Sequence, residues 1–376
     1  MLLLAGLHAA CKGQQPLSRI DSLLKATYPG DEPGASVAIE SQGQVIFLKS
    51  YGMASLQAGS RNSPSTQFNI GSLTKQFTAM AILQLAGLHK LSLSDPLIKF
   101  FPDFSPHAGN LITIRELLTH TSGIMDHYGY VDTNRVRHAT DADVLTAVRK
   151  VDSTYFTPGT RFRYSNTAYC LLGMIIEKVS GMTYPDYIST HIFSPLSLRE
   201  ARVLQIGKPI RDRAVGYDTA GSHFRRLDVD ESIFFSTEAD GGIYLSISQY
   251  LRWFHALQSG KGLDSASVSQ ARSAQVTVEG SSRLSYGYGW FVNEQFGEKV
   301  VYHTGSNGGF RAIAFSIPSL DYLVVVFSNR TGVDLEKLVE EINKILRVTN
   351  KSYIKIDSLE SFNISCPIFA PWKEII

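Results

Sequence analysis

Short, mainly apolar segments next to turn residues occur near both ends of the chain, which is the pattern of β-strands. Residues 35–40 and 44–49 carry this pattern on either side of a Ser41-Gln-Gly turn, so they predict a β-hairpin. Towards the other end, four apolar stretches predict further strands at 286–294, 299–302, 310–317 and 322–327. The two groups of strands are separated by most of the chain.

Between and beyond these strands the spacing of apolar residues is helical. A leading helix is predicted within 12–34, helices dominate from about 72 to 260, and a final helix is predicted over 333–346. Strands from both ends with helices between them predict an α/β fold of the α+β type. We expect one antiparallel sheet built from both chain ends and flanked by helices, with an all-α subdomain inserted in the middle.

The same pattern sets the expected domain limits. The α/β part is expected at about 15–85 and 280–347, and the helical part at about 86–279. The tail, 348–376, has weak patterning, and no role is predicted for it.

Composition narrows the class of protein. Of the 376 residues 44% are apolar and 19% are charged, which is typical of a globular protein and argues against disorder. Because 36 Lys and Arg face 34 Asp and Glu, the formal charge is only +2, and no nucleic-acid partner is expected. No apolar run reaches the roughly 18 residues that a membrane-spanning helix needs.

The first eleven residues resemble the end of a bacterial lipoprotein signal. An apolar opening ends in two alanines before Cys11, so we expect residues 1–11 to direct export and Cys11 to carry a lipid anchor, giving a periplasmic or membrane-anchored protein. A truncated N-terminus or an ordinary helical end is the alternative, because no Lys or Arg precedes the apolar run. The cysteines, at 11, 170 and 366, are few and odd in number, so a disulfide framework is not expected.

Several catalytic motifs are missing from the sequence. It has no His-Glu-x-x-His, no Gly-x-Ser-x-Gly and no phosphate-binding glycine-rich loop, so no metal site and no cofactor are predicted. Ser-x-x-Lys occurs three times, as Ser22–Lys25, Ser72–Lys75 and Ser352–Lys355. A tetrapeptide found three times carries little information without its context.

Context favours Ser72 as a nucleophile. Gly71 precedes it and an apolar helix follows, and residues three apart on a helix share a face, so the Lys75 amine can reach the Ser72 hydroxyl. A serine at a helix N-terminus lies next to unpaired backbone N–H groups and to the positive end of the helix dipole. Apolar neighbours would favour the neutral form of Lys75, as a base requires. The alternative is an N-capping serine beside a solvated lysine.

Two further short motifs carry polar groups suited to acyl transfer. Tyr164 and Asn166 follow a turn, where Tyr164 can accept a proton near a lysine ammonium and Asn166 can bind a substrate amide or carbonyl. The alternative is a buried tyrosine and a helix-capping asparagine. His303 directly follows the strand predicted at 299–302, and Gly305 permits close approach of a substrate backbone. The Ser306 N–H can form an oxyanion hole with that of Ser72.

Ser72-x-x-Lys75, Tyr164-x-Asn166 and His303-Thr-Gly305, in this order, resemble the active-site elements of the class C β-lactamase and penicillin-binding-protein family of serine hydrolases. That family includes D-Ala-D-Ala carboxypeptidases, D-aminopeptidases and β-lactamase-like carboxylesterases. The resemblance extends over about 15–347.

The resemblance implies a role for each motif residue. Ser72 would be the acylated nucleophile, Lys75 its proton acceptor or electrostatic partner, and Tyr164 the proton shuttle. Asn166 would contact the acyl-side amide of the substrate. The remaining implied substrate-binding residues are His303, Thr304, Gly305 and Ser306.

One departure from the family pattern concerns substrate class. β-Lactamases usually carry Lys where this chain has His303, and a histidine is mostly neutral at pH 7 but gains charge as the pH falls from 8 to 6. The sequence therefore predicts an acyl-enzyme hydrolase of D-amino-acid peptides or carboxylic esters, with a small-molecule or peptide substrate as its partner. A true β-lactamase and a catalytically silent binding or scaffolding protein are the alternatives, and the oligomeric state is left open.

Overall fold

A computed structural model of the protein describes residues 2–134, 138–221, 223–228, 231–295 and 297–346. The tail from residue 348 onwards, which includes Ser352 and Lys355, lies outside the described residues, and so does the side chain of Cys11.

Within the described residues, helices and strands cover most of the chain. The helices are α1 Leu2–Thr27, α2 Thr74–Gly87, α3 Leu97–Phe100, α4 Pro106–Leu111, α5 Ile114–Leu118, α6 Asp141–Val148, α7 Asn166–Ser180, α8 Tyr184–Ile188, α9 Ile247–Ser259, α10 Ser265–Ala271 and α11 Leu335–Leu346. The strands are β1 Ala35–Ser41, β2 Gln44–Tyr51, β3 Met53–Ser55, β4 Ser60–Arg61, β5 Phe68–Asn69, β6 Arg202–Val203, β7 Tyr217–Ala220, β8 His223–Arg226, β9 Ile243–Leu245, β10 Val276–Thr277, β11 Leu284–Tyr286, β12 Phe291–Gln295, β13 Glu298–Asn307, β14 Phe310–Ile317 and β15 Tyr322–Ser328.

The main sheet joins the two ends of the chain. Its eight strands have the order β10-β11-β12-β13-β14-β15-β1-β2, and every pair is antiparallel. Strand β1 pairs with β15 in a register that sets Ala35 opposite Ser328. Both strands are almost fully buried because α1 and α11 cover one face of the sheet and α9 packs on the other. The predicted hairpin and the sheet built from both chain ends are confirmed.

The middle of the chain is mainly helical, as expected, but it also contains short strands that the pattern did not predict. Strands β5, β9 and β6 form a small sheet, and β7 pairs with β8. Each of these strands has two to four residues. A strand of that length has too few positions to show alternation, so sequence periodicity cannot reveal it.

Two predicted strand boundaries differ in the structure. The stretch predicted as one strand at 286–294 is divided between β11 and β12, with Gly289 between them at a φ of +87°. Strand β13 continues to Asn307, so His303 lies inside the strand rather than at its end. Polar residues from 303 to 307 hide this extension, because the apolar pattern stops at Tyr302.

The extension leaves an open strand edge. Strand β12 pairs with β13 only up to Tyr302, which faces Phe291. Beyond that point β14 still pairs with β13 from the other side, as far as Asn307 opposite Phe310. Residues 303–307 therefore present one unpaired backbone edge. A search of the described residues finds no helix long and apolar enough to cross a membrane.

Candidate active site

Ser72 lies in a one-turn 3-10 helix, Gly71–Leu73, that leads directly into α2. Leu73 is the N-cap residue of α2, and the Asn69 side-chain oxygen accepts the Gly71 N–H at 2.8 Å. Ser72 therefore does not cap the helix, and the alternative of a capping serine is wrong. Its side chain is directed to Lys75 instead.

Lys75 is fully buried and connects two of the three motifs. Its Nζ donates to Ser72 Oγ at 3.1 Å, to Asn166 Oδ1 at 2.8 Å and to the Asp240 carbonyl at 2.8 Å. Nζ also lies 5.0 Å from the centre of the Tyr164 ring. The two carbonyl oxygens can only accept from Lys75, whereas the Ser72 hydroxyl can either accept from Nζ or donate to it, so this geometry fits both an ammonium and a neutral amine that takes the Ser72 proton.

Asn166 is held between Lys75 and a tyrosine that the sequence did not single out. Its Nδ2 donates to the Tyr128 hydroxyl at 2.8 Å. Ser165, not Asn166, caps α7, since its Oγ accepts the Ala168 N–H at 3.1 Å. Asn166 therefore does not cap the helix, and its amide group connects Lys75 to Tyr128.

Tyr164 is almost completely buried against other aromatic rings. The ring of His120 lies 4.2 Å from it, between centroids, and that of His303 lies 6.0 Å away. His120 has a left-handed backbone, with a φ of +58°, and its Nδ1 accepts the Ser165 N–H at 3.1 Å. His120 therefore fixes the loop that carries Tyr164 and Asn166.

His303 is buried, and protein atoms contact both of its ring nitrogens. Nδ1 lies 2.6 Å from the Thr304 carbonyl and must donate to it, so Nε2 accepts from the Tyr286 hydroxyl at 3.1 Å. Burial lowers the pKa of His303 to about 3, and the charge of Lys75 adds to this effect. The expectation that His303 gains charge between pH 8 and 6 is therefore wrong.

The open edge of β13 lies against the turn that carries Ser72. A Cβ on Gly71, whose φ is +51°, would lie 2.6 Å from the Ser306 nitrogen, and a Cβ on Gly305 would lie 2.1 Å from the Ile70 carbonyl oxygen. Both glycines are needed for this approach. Asn307 and Phe310 close a two-residue hairpin, so the antiparallel alternation directs the N–H groups of Ser306 and Thr304 away from β14.

A buried acidic group lies behind the Lys75 side chain. Oxygen and sulfur atoms of Asp141, Cys170 and Asp240 lie within 4.8 Å of one another. The carboxylate of Asp141 accepts the N–H groups of Glu238 and Ala239, each at 3.0 Å. Burial raises the pKa of Asp141 well above its usual range, and Glu238 and Asp240 add to this effect.

The structure also separates the Ser-x-x-Lys copies. Ser22 is exposed on α1, and Lys25 forms an ion pair with Asp21 at 2.9 Å. By contrast, Ser72 and Lys75 are both buried beside the open strand edge. Tyr128 and the Asp240 carbonyl are the contacts that sequence reasoning missed. Tyr128 lies in a loop without a motif, whereas Asp240 belongs to an Ala-Asp-Gly-Gly stretch typical of the family.

Comparison with known proteins identifies the family to which this chain belongs. The family model described as Beta-lactamase matches residues 21–346. The chain belongs to this family, and its fold is that of the β-lactamase-fold hydrolases.

Three similar proteins come from bacteria. The chain is 29% identical over 350 residues to Protein flp of Staphylococcus aureus (strain MW2), covering 89% of this chain and 68% of that protein. It is 30% identical over 311 residues to Penicillin-binding protein 4* of Bacillus subtilis (strain 168), covering 79% and 68%. The solved structure of a D-stereospecific amidohydrolase from Streptomyces sp. superposes with a TM-score of 0.72 at 25% identity, covering 86% of this chain and 97% of that one.

Proposed function

We propose that the protein is a serine hydrolase that forms an acyl-enzyme at Ser72. The observation that carries this proposal is the 3.1 Å contact between Ser72 Oγ and a buried Lys75, which also holds Asn166. A buried amine that contacts a serine hydroxyl beside an unpaired strand edge suits acyl transfer, and a purely structural role does not require it. A silent scaffold on the same fold would not need it.

In this mechanism Ser72 Oγ attacks the substrate carbonyl, and its proton passes to Tyr164. The positive charge of Lys75 favours the phenolate form of Tyr164 that accepts this proton. Tyr164 then protonates the leaving amine or alcohol. The N–H groups of Ser72 and Ser306 stabilise the oxyanion that forms on the carbonyl oxygen. In the second half, Tyr164 takes a proton from water as the water oxygen attacks the acyl carbon, and it then returns that proton to Ser72 Oγ as the ester bond breaks and the acid leaves.

The proposed substrates are amides of D-amino-acid peptides and carboxylic esters. An extended substrate backbone can pair with the open edge of β13 at Thr304, while Asn166 contacts its acyl-side amide. His303 lends no positive charge to a β-lactam carboxylate, because its imidazole is neutral and both nitrogens are engaged within the protein. The D-stereospecific amidohydrolase among the similar structures supports the amide class.

Covalent labelling tests the proposal. A fluorophosphonate probe should label the wild-type protein, and Ser72→Ala should lose both the label and turnover, with a loss in kcat on the order of 10³–10⁶. Ser22→Ala is the matched control, because it removes the serine of another Ser-x-x-Lys and should label like the wild type. A wild-type protein that folds but takes no label would favour the scaffolding alternative. Rates on p-nitrophenyl esters, D-Ala peptides and nitrocefin would then rank the substrate classes.

We also propose export with lipid attachment at Cys11. The apolar segment before this residue supports the proposal. Metabolic labelling with a palmitate analogue should tag the wild-type protein and not Cys11→Ser. Equal labelling of the wild type and Cys11→Ser, or no labelling of either protein, would show that Cys11 does not carry the lipid and would argue for a different location signal.

A further inference from the structure

A second concave site lies at the opposite end of β13 from Ser306. It has a volume of about 220 Å³ and lies where α9, α10 and the start of β13 meet. Lys299, which lines it, is seven residues before Ser306 in the same strand, and at about 3.4 Å per residue this places the two residues about 24 Å apart. The pocket is therefore separate from the candidate active site.

The pocket contains a buried arginine whose charge is not neutralised. Arg272 is 7% exposed, and its Nη1 and Nη2 donate to Gln258 Oε1 at 2.8 Å and to Ser316 Oγ at 3.4 Å. Both acceptors are neutral. The third donor group, Nε–H, is buried without an acceptor among the described residues. Such an orphaned donor on a charged group is costly unless a ligand accepts from it.

A second cation lines the same pocket. Lys299 is exposed on β13, and its pKa is lowered by burial of part of the side chain and by the charge of Arg272. Burial likewise lowers the pKa of Arg272 to about 10. In the part of the chain that the structure describes, neither residue forms an ion pair with a carboxylate. Asp321 is reached only through the amide of Gln258, which donates to it at 3.2 Å.

We propose that this pocket binds a phosphate group, held between the buried guanidinium of Arg272 and the ammonium of Lys299. Arginine matches the geometry of oxyanions, and the hydroxyls of Ser265 and Ser269 at the pocket wall can donate to the remaining oxygens. The volume is below the roughly 300–1,000 Å³ of pockets for drug-sized ligands, which suits a small anion. The phosphate is either free or the terminal group of a small organic molecule.

Calorimetric titration of the full chain at constant ionic strength tests the proposal. Inorganic phosphate and glycerol 3-phosphate are titrated in separate experiments. In each one the chloride concentration is reduced as the phosphate compound is added, so that the ionic strength does not change. Lys299→Gln should weaken binding about tenfold, as expected for loss of one charge-assisted contact. Arg272→Gln should abolish it. Lys337→Gln, which removes an exposed lysine on α11, is the matched control and should bind like the wild type.

The two titrants distinguish the sources of the phosphate. If inorganic phosphate binds, the ligand of the pocket is a free anion. If only glycerol 3-phosphate binds, the ligand is a phosphate group carried by a larger molecule. The proposal is overturned if neither titrant binds, or if Lys299→Gln binds as tightly as the wild type. The second criterion holds even if Arg272→Gln fails to fold, because Lys299 occupies an exposed strand position.

Discussion

Burial of His303 makes the stability of the protein depend on pH in a way that one substitution can isolate. The folded-state pKa of about 3 lies below the ordinary value of 6.5, so between these values the unfolded chain binds a proton that the folded protein does not. Acidification through this window therefore favours unfolding. Above about pH 6.5 the imidazole is neutral in both states, and the effect disappears.

The magnitude follows from the shift. Between pH 7 and pH 5 the folded His303 stays neutral, while the unfolded residue becomes almost fully protonated, which costs about 2 kcal/mol of unfolding free energy. Wild-type stability alone does not report this quantity. His127, with a pKa lowered to about 4 by burial, acts in the same direction, and Glu238, with a pKa raised to about 7 chiefly by burial, acts in the opposite one.

Comparison of the wild type with His303→Gln cancels these other groups. Glutamine can still accept from the Tyr286 hydroxyl but does not titrate. Urea unfolding followed by the fluorescence of the buried Trp253 and Trp290 gives the free energy of unfolding at each pH. From pH 7 to pH 5 the stability of His303→Gln, relative to the wild type, should rise by about 2 kcal/mol.

His107→Gln removes an exposed histidine and is the matched control, expected to follow the wild type at both pH values. If His303→Gln also changes in parallel with the wild type, His303 is not held neutral in the folded protein. The argument against a charged residue at this position in the site would then be wrong.

Three further substitutions test how the site is held. Gly305→Ala should lower kcat by about 10²-fold and destabilise the fold by about 1–3 kcal/mol, because the new Cβ would clash with the Ile70 carbonyl. Gly87→Ala is the control and should leave activity unchanged, because a Cβ at this position has no atom within 4 Å. His120→Asn tolerates the left-handed backbone but cannot place the imidazole ring beside Tyr164, so kcat should fall roughly tenfold or more while circular dichroism stays native; an unchanged kcat would remove His120 from its positioning role. Tyr128→Phe removes the acceptor of the Asn166 amide and should lower kcat/KM by up to about tenfold on D-Ala peptides; an equal or larger loss on a simple ester would contradict amide orientation as the cause.

Local sequence was sufficient to predict those parts of the fold and of the site that depend on residues close together in the chain. The hairpin of β1 and β2 needs only two apolar segments joined by a turn, and the contact between Ser72 and Lys75 needs only residues three apart on a helix. The order of the three motifs and the strands at both ends likewise predicted the family and the sheet that joins the chain termini. Short strands such as β6 and β9 were not predicted, because they have too few residues to show a hydrophobic period.

The tertiary structure decided what depends on residues distant in sequence. Lys75 contacts Asn166 and the Asp240 carbonyl, which are 91 and 165 positions away, and these contacts distinguish Ser72 from Ser22. Protonation states follow the same rule, because they depend on burial and neighbouring charge rather than on residue type. Thus the sequence by itself determined which residues can carry the chemistry, and only packing determined that His303 stays neutral and that Lys75 contacts Ser72, Asn166 and the Asp240 carbonyl together.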